Sequence, residues 1–186
     1  MIPQRICMEL TKFMIRIVDV SIKDHYATIS KMMDGLHAHE KALFDKASEW
    51  KYIEASYMRH VIDTQEKEDG TCLLALDEAE PVGFIFGYAY EEEDSRTEDY
   101  KGLELYVSDG FVAASHRRLG VYKQLNDALE NKYITEGIRR IVRFTLSSNL
   151  RMQKFLGHAG YQPVRLQYEK WLKPDGSLDE LGFTPT

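Results

Sequence analysis

Residues 102–125 read GLELYVSDGFVAASHRRLGVYKQL, and the fold turns on how this stretch is parsed. Leu103, Leu105 and Val107 alternate as the buried positions of a strand do. The Ser-Asp-Gly that follows is suited to a bulge, at which the strand bends before GFVAA resumes it. After two arginines and a glycine the period changes: Tyr122, Leu125, Leu129 and Tyr133 recur at helical spacing, with Gly137 as a stop. A helix opening straight after such a turn has main-chain N–H groups without intrahelical partners, and its dipole adds positive character there. The turn is therefore a candidate anion site, and a phosphorylated ligand is the first expectation.

Upstream, FMIRIV from Phe13 alternates as a first strand. Tyr26, Ile29, Met33 and Leu36 then mark a helix over about Lys23 to Phe44, and Trp50, Ile53, Tyr57 and Val61 mark a second. TCLLAL and VGFIFGYAY form a hairpin about DEAEP, and the acidic run Glu91 to Asp99 is a loop. Downstream, IVRFTL is a strand and Asn149 caps a helix striped by Met152, Phe155, Leu156 and Ala159 up to Gly160. QPVRLQYEKWL, with Val164, Leu166, Tyr168 and Leu172 in alternation, is a last strand. The expected fold class is mixed α/β around one sheet: one domain over residues 1–173 and a C-terminal tail, mobile, over 174–186.

The bulk numbers bound the function. The chain has 186 residues, a net charge of -6 and 29% charged residues, so general nucleic-acid binding is not expected. No apolar run approaches the length of a membrane span and Met1 to Val20 lacks a secretory core, so a soluble cytoplasmic protein is the default. Cys7 and Cys72 make no metal or redox spacing. His37 and His39 of LHAHEK stand two apart and face differently on a helix, so no metal site is read there.

The segment Arg117-Arg118-Leu119-Gly120-Val121-Tyr122, behind its strand, resembles the phosphate-binding motif of the GCN5-related N-acetyltransferase (GNAT) superfamily, with Tyr122 where that motif has a small residue. NLRMQKFLGHAGY resembles the superfamily's second motif through Asn149, Phe155, Gly160 and Tyr161, with Leu156 where the family usually has a tyrosine acting as general acid. The resemblance spans Phe13 to Leu172 and is densest from Leu103 to Tyr161. It implies a mostly antiparallel twisted sheet with a splayed central strand pair, flanked by about four helices, and acetyl-CoA as co-substrate. It further implies that the main chain of Gly110, Phe111 and Val112 pairs with the pantetheine arm, which Asn149 also reaches.

The residues themselves specify the remaining expectations. Amides from Arg118 to Lys123 would hold the pyrophosphate, Gly120 permitting close approach, with Arg117, Arg118 and Lys123 as phosphate partners or as solvated cations. The reaction the resemblance implies is attack by a primary amine of a small molecule or peptide on the thioester, which needs a base. Asp109, Glu104 and Glu40 are the candidates for the base, and Tyr161 or His158 for the acid, although Tyr161 also fits a packing role. His37 and Glu40, on one helix face with Phe44, are candidates for binding the acceptor. The acidic loop would draw in a cationic amine. The alternative is a non-catalytic acyl-CoA-binding or regulatory module. A homodimer through the last strand or the tail is open.

Overall fold

The computed structural model describes residues 14–91 and 102–182. Phe13, the acidic loop beyond Glu91 and Phe183 to Thr186 lie outside the described residues. The strands of the main sheet are β1 (Ile15–Asp19), β2 (Thr71–Asp77), β3 (Glu80–Tyr90), β4 (Glu104–Val112) and β5 (Ile141–Val142). Their order in space is the order of the chain, antiparallel from β1 to β4 and parallel between β4 and β5. Helices α1 (Tyr26–Leu43) and α2 (Trp50–Lys67) cover one face, α3 (Val121–Thr135) covers the other, and α4 (Leu150–His158) follows β5.

Strand alternation builds the two cores. Cys72, Leu74, Leu76, Phe84 and Phe86 meet Ile29, Met32 and Met33 of α1 and Met58 and Val61 of α2. Leu73, Ala75, Ile85, Leu105 and Val107 meet Val121, Leu125, Leu129 and Tyr133 of α3. Each Val, Leu, Ile, Met or Phe side chain fully buried there stabilises the fold by about 1.5–3 kcal/mol.

The expected bulge is at Ser108. Phe86 pairs with Asp109 and Gly87 with Val107, so Ser108 has no partner opposite. The extra residue changes which face follows: Val107 points toward α3, yet Asp109 bonds to Tyr57 of α2 and Phe111 joins the α1–α2 core. On its other side β4 is paired only at Leu105 with Ile141 and Tyr106 with Val142. Among the described residues nothing pairs with that side of Val107 to Val112, so the two strands splay as expected.

Two expected strands are shorter than the pattern predicts. Only Ile141–Val142 of IVRFTL is regular, because the splay carries Arg143 away from β4 toward α3, where its guanidinium donates to Asn126 at 3.0 Å. Of QPVRLQYEKWL only β6 (Trp171–Leu172) is regular, and it pairs with β7 (Leu178–Asp179), which belongs to the stretch expected as a mobile tail. The hairpin is anchored: Lys46 reaches Asp179 at 2.7 Å, the Trp171 ring lies 6.2 Å from that of Phe44, and Asp45 N–H donates to Gly182 O at 3.2 Å.

Candidate active site

The site begins at the turn between β4 and α3. A single 3-10 turn over Ala114–His116 leads into Arg118 and Gly120, both in the left-handed region at φ 66 and 79. Gly120 is the residue before α3, and its geometry suits glycine. The first bond of the helix runs from Gln124 N–H to Gly120 O at 3.0 Å, so the amides of Val121, Tyr122 and Lys123 precede it and face out along the axis. A Cβ at Gly120 would meet nothing within 4 Å, so the mouth of the turn is open. His116 fixes the turn from behind through Asp77 of β2 at 3.0 Å.

The side chains around this turn are distributed unevenly. Arg118 and Leu119 are exposed, Val121 is buried against the sheet, and Lys123 pairs with Asp127 one helical turn on. Arg117 folds back on β4: its Nε donates to Val112 O at 3.0 Å and its guanidinium lies 5.7 Å from the Phe111 ring. Tyr122 does not crowd the turn. Its ring points inward against Gly110, where an added Cβ would stand 2.9 Å from it, and lies 5.0 Å from Phe155. Burial raises the pKa of its hydroxyl, against the opposing charge and hydrogen bond of Arg143. Gly110 to Val112 thus form the unpaired side of the splay, with Tyr122 beneath one end and Arg117 on the other.

On the opposite face of β4 the bulge delivers Asp109 into a buried cluster with α1 and α2. Asp109 accepts from Tyr57 Oη at 2.8 Å and from Ser108 Oγ at 2.6 Å. Burial raises its pKa, while those two bonds and the neighbouring His37 and His60 oppose the rise. His37 stacks on Trp50 at 4.9 Å and meets the Tyr57 ring edge-on at 5.3 Å. Burial lowers its pKa, and among the described residues its buried Nε2 has no hydrogen-bond partner. His37 Nδ1 lies 3.9 Å from Glu40 Oε2. The Glu40 carboxyl is pushed up to about 7 by burial and by the negative charge of Asp109. A cavity of about 320 Å³ between α1 and α2 reaches this cluster, with His37, Trp50, Asp34 and Lys41 in its wall.

A model of the Acetyltransferase (GNAT) family matches residues 36–161, from within α1 to the end of the second motif. The chain belongs to this acetyltransferase family. Solved structures share its fold at low identity. A GCN5-related N-acetyltransferase from Ralstonia eutropha JMP134 has a TM-score of 0.68 and 13% identity, over 83% of this chain and 97% of its own. Aminoglycoside N-acetyltransferase AAC(6')-Iy, in complex with CoA, has a TM-score of 0.62 and 17% identity over 86% and 95%. An aminoglycoside acetyltransferase from an uncultured soil metagenomic sample, in complex with trehalose, has 0.59 and 16% over 89% and 100%. No curated protein matches the chain at a significant level.

Against the GNAT pattern, three expected site residues are occupied elsewhere. Glu104 is buried in an ion pair with Arg140, with Tyr90 Oη at 3.4 Å, at the far end of β4 from Gly110. Four residues of extended chain separate it from Asp109, so it does not join the cluster. Tyr161 donates to Glu130 at 2.6 Å and lies 5.5 Å from the Arg143 guanidinium, a packing role on the α3 side. His158 turns to Lys154 O at 2.7 Å on the surface of α4. Asn149 caps α4, its Oδ1 accepting from Met152 N–H at 3.1 Å, and Leu156 is buried at the family's tyrosine position. Tyr57, Trp50 and Ser108 were not expected at the site. Tyr57 and Trp50 are visible in the sequence only as members of the α2 core stripe, and Ser108 only as part of the bulge.

Among the described residues no group of three or more His, Cys, Asp or Glu is placed to hold a metal ion. No described helix is long and apolar enough to cross a membrane.

Proposed function

We propose that the chain transfers an acetyl group from acetyl-CoA to a primary amine by direct attack in a ternary complex. The observation that carries this reading is one strand serving two surfaces. The open side of Gly110 to Val112 runs to the unpartnered amides of Val121 to Lys123, while the other face holds Asp109 within electrostatic reach of Glu40 and His37. The turn fits a diphosphate: its mouth is open at Gly120, its amides face outward, and Arg118 stands exposed beside them. The unpaired strand side would hold the pantetheine arm, and Arg117 would exchange Val112 O for a phosphate.

An alkylammonium with an ordinary pKa of about 10 must lose a proton before it attacks. Glu40 is suited to take it, because a carboxylate held near 7 is ionised at working pH and still basic. Asp109, fixed by Tyr57 and Ser108, adds to the effect of burial on Glu40. The Trp50–His37–Tyr57 rings form an apolar wall for the acceptor. Tyr122, neutral and beside Gly110, is the donor suited to return a proton on the CoA side, where Leu156 has none to give.

The test is release of free thiol from acetyl-CoA over a panel of amines. Turnover with at least one amine that falls ten-fold or more in Glu40→Gln supports the reading, and no turnover above the uncatalysed rate with any amine refutes it. Leu156 favours a second reading, a CoA-binding module without transfer. That module would bind CoA in calorimetry and release no thiol with any acceptor.

A further inference from the structure

A polar network lies on the α3 side of the splay and has no part in the reaction so far. Tyr122, Asn126 and Glu130 stand four apart on α3 and form one row, next to the apolar row of Val121, Leu125 and Leu129 that packs on the sheet. Asn126 is only 1% exposed, and a buried amide is costly unless its two ends are bonded. Both ends are: its Nδ2 donates to Glu130 Oε1 at 2.6 Å, and its Oδ1 accepts from Arg143 Nη1 at 3.0 Å. Tyr161 Oη donates to the same Glu130 oxygen at 2.6 Å. Glu130 thus sets which way the amide faces, and the amide oxygen holds the guanidinium, which has donors only.

The sheet decides where that guanidinium stands. Tyr106 with Val142 is the last pair of β4 and β5, so Arg143 is the first residue of its strand past the vertex of the splay. Its guanidinium carbon lies 5.9 Å from the centre of the Tyr122 ring and 5.5 Å from that of Tyr161. Tyr122 reaches the splay from the β4 side: a Cβ added at Gly110 would stand 3.0 Å from its Oη. Arg143 bonds to a neutral amide, and among the described residues no carboxylate stands within ion-pair distance of it. A fixed cation beside a phenol stabilises that phenol's ionised form.

We propose that Arg143 is a positioning residue for acyl transfer: it holds Tyr122 at the splay and stabilises the tyrosinate left when Tyr122 protonates the departing sulfur. The inference rests on the acetyl transfer proposed above. In that step the amine nitrogen bonds to the thioester carbon, the carbon–sulfur bond breaks with its electron pair on sulfur, and the Tyr122 proton goes to sulfur. Glu40 takes the proton that the amine loses. The negative charge stays on Tyr122 Oη beside Arg143 until solvent returns a proton. Leu156 leaves α4 without a donor at this place, so the acid comes from α3 and draws its electrostatic support from α3 and β5.

Arg143→Met removes the charge and keeps an apolar side chain against the two rings. With an amine that the parent acetylates, kcat should fall about ten-fold or more, while the KM for acetyl-CoA and the affinity for CoA in calorimetry stay at parent values. The deciding measurement is a double-mutant cycle. Because Arg143 acts through Tyr122, Arg143→Met should cost nothing further in a Tyr122→Phe background. Guanidinium ion added at millimolar concentration should raise the turnover of Arg143→Ala and leave that of Arg143→Ala with Tyr122→Phe unchanged. Near-UV circular dichroism checks that the packing survives. Should Arg143→Met fail to fold, Arg143→Lys, which keeps the charge without the planar fork, carries the same cycle with a smaller loss. Additive losses from the two substitutions, or an unchanged kcat in the Arg143 variants, overturn the role of Arg143 and leave the acetyl transfer standing. No turnover by the parent with any amine is the separate failure of the transfer itself, and the role of Arg143 falls with it.

Discussion

Replacing Gly120 by asparagine and by aspartate separates backbone cost from charge at the proposed diphosphate site. Both side chains meet open space, since nothing lies within 4 Å of a Cβ there. Both must adopt φ 79 and ψ 5. That left-handed conformation costs an L-residue about 1–2 kcal/mol, less for Asn and Asp, so each variant should melt only a few degrees below the parent. They differ by one negative charge about 4 Å from a diphosphate. Each like-charge pair at that distance costs about 1 kcal/mol in bulk water and about 4 kcal/mol at an effective dielectric of 20. For this exposed turn the low end applies, and two phosphate charges then give about 2 kcal/mol, or about 30-fold in Kd. Titration calorimetry with CoA should show Gly120→Asp binding about 30-fold more weakly than Gly120→Asn, the gap narrowing at high salt. Equal affinity in the two variants at low salt would refute the placement of the diphosphate at these amides.

Four further outcomes are expected. In the parent, kcat/KM should rise with pH through about 7 as Glu40 loses its proton, and Glu40→Gln should lose both that limb and most turnover. The same shift predicts a stability effect of fixed sign: a carboxyl raised from 4.5 to about 7 binds its proton more tightly when folded, so Glu40 costs stability as pH climbs through that window, and the parent's Tm should fall relative to Glu40→Gln. Tyr122→Phe keeps the ring against Gly110 and Phe155 and removes the hydroxyl, so kcat should drop ten- to a hundred-fold with the KM for acetyl-CoA unchanged; an unaltered kcat assigns Tyr122 to packing. Glu104→Ala breaks a buried pair with Arg140 and should lower stability by about 3 kcal/mol in urea unfolding, while CoA affinity stays at the parent value.

The α1, α2 and α3 stripes, the strand alternation of β2 to β4, the bulge and the Gly120 turn are all legible in the sequence because each is local. Period, turn chemistry and capping are set by residues within a few positions of one another, and the packed cores take up the apolar faces that those patterns define. Pairing is different. Whether IVRFTL and QPVRLQYEKWL lie in a sheet depends on what stands beside them, and among the described residues only Ile141–Val142 and Trp171–Leu172 of the two stretches pair as strands. The same limit governs the site. Asp109, Glu104 and Glu40 are equivalent carboxylates in one dimension. The extra residue at Ser108 turned Asp109 toward Tyr57 and α1, Arg140 neutralised Glu104, and burial beside Asp109 raised Glu40. A carboxylate's chemistry follows from its solvation and its nearest charges, and those neighbours come from distant parts of the chain, so the sequence supplied the candidates and only the tertiary structure sets them in different surroundings.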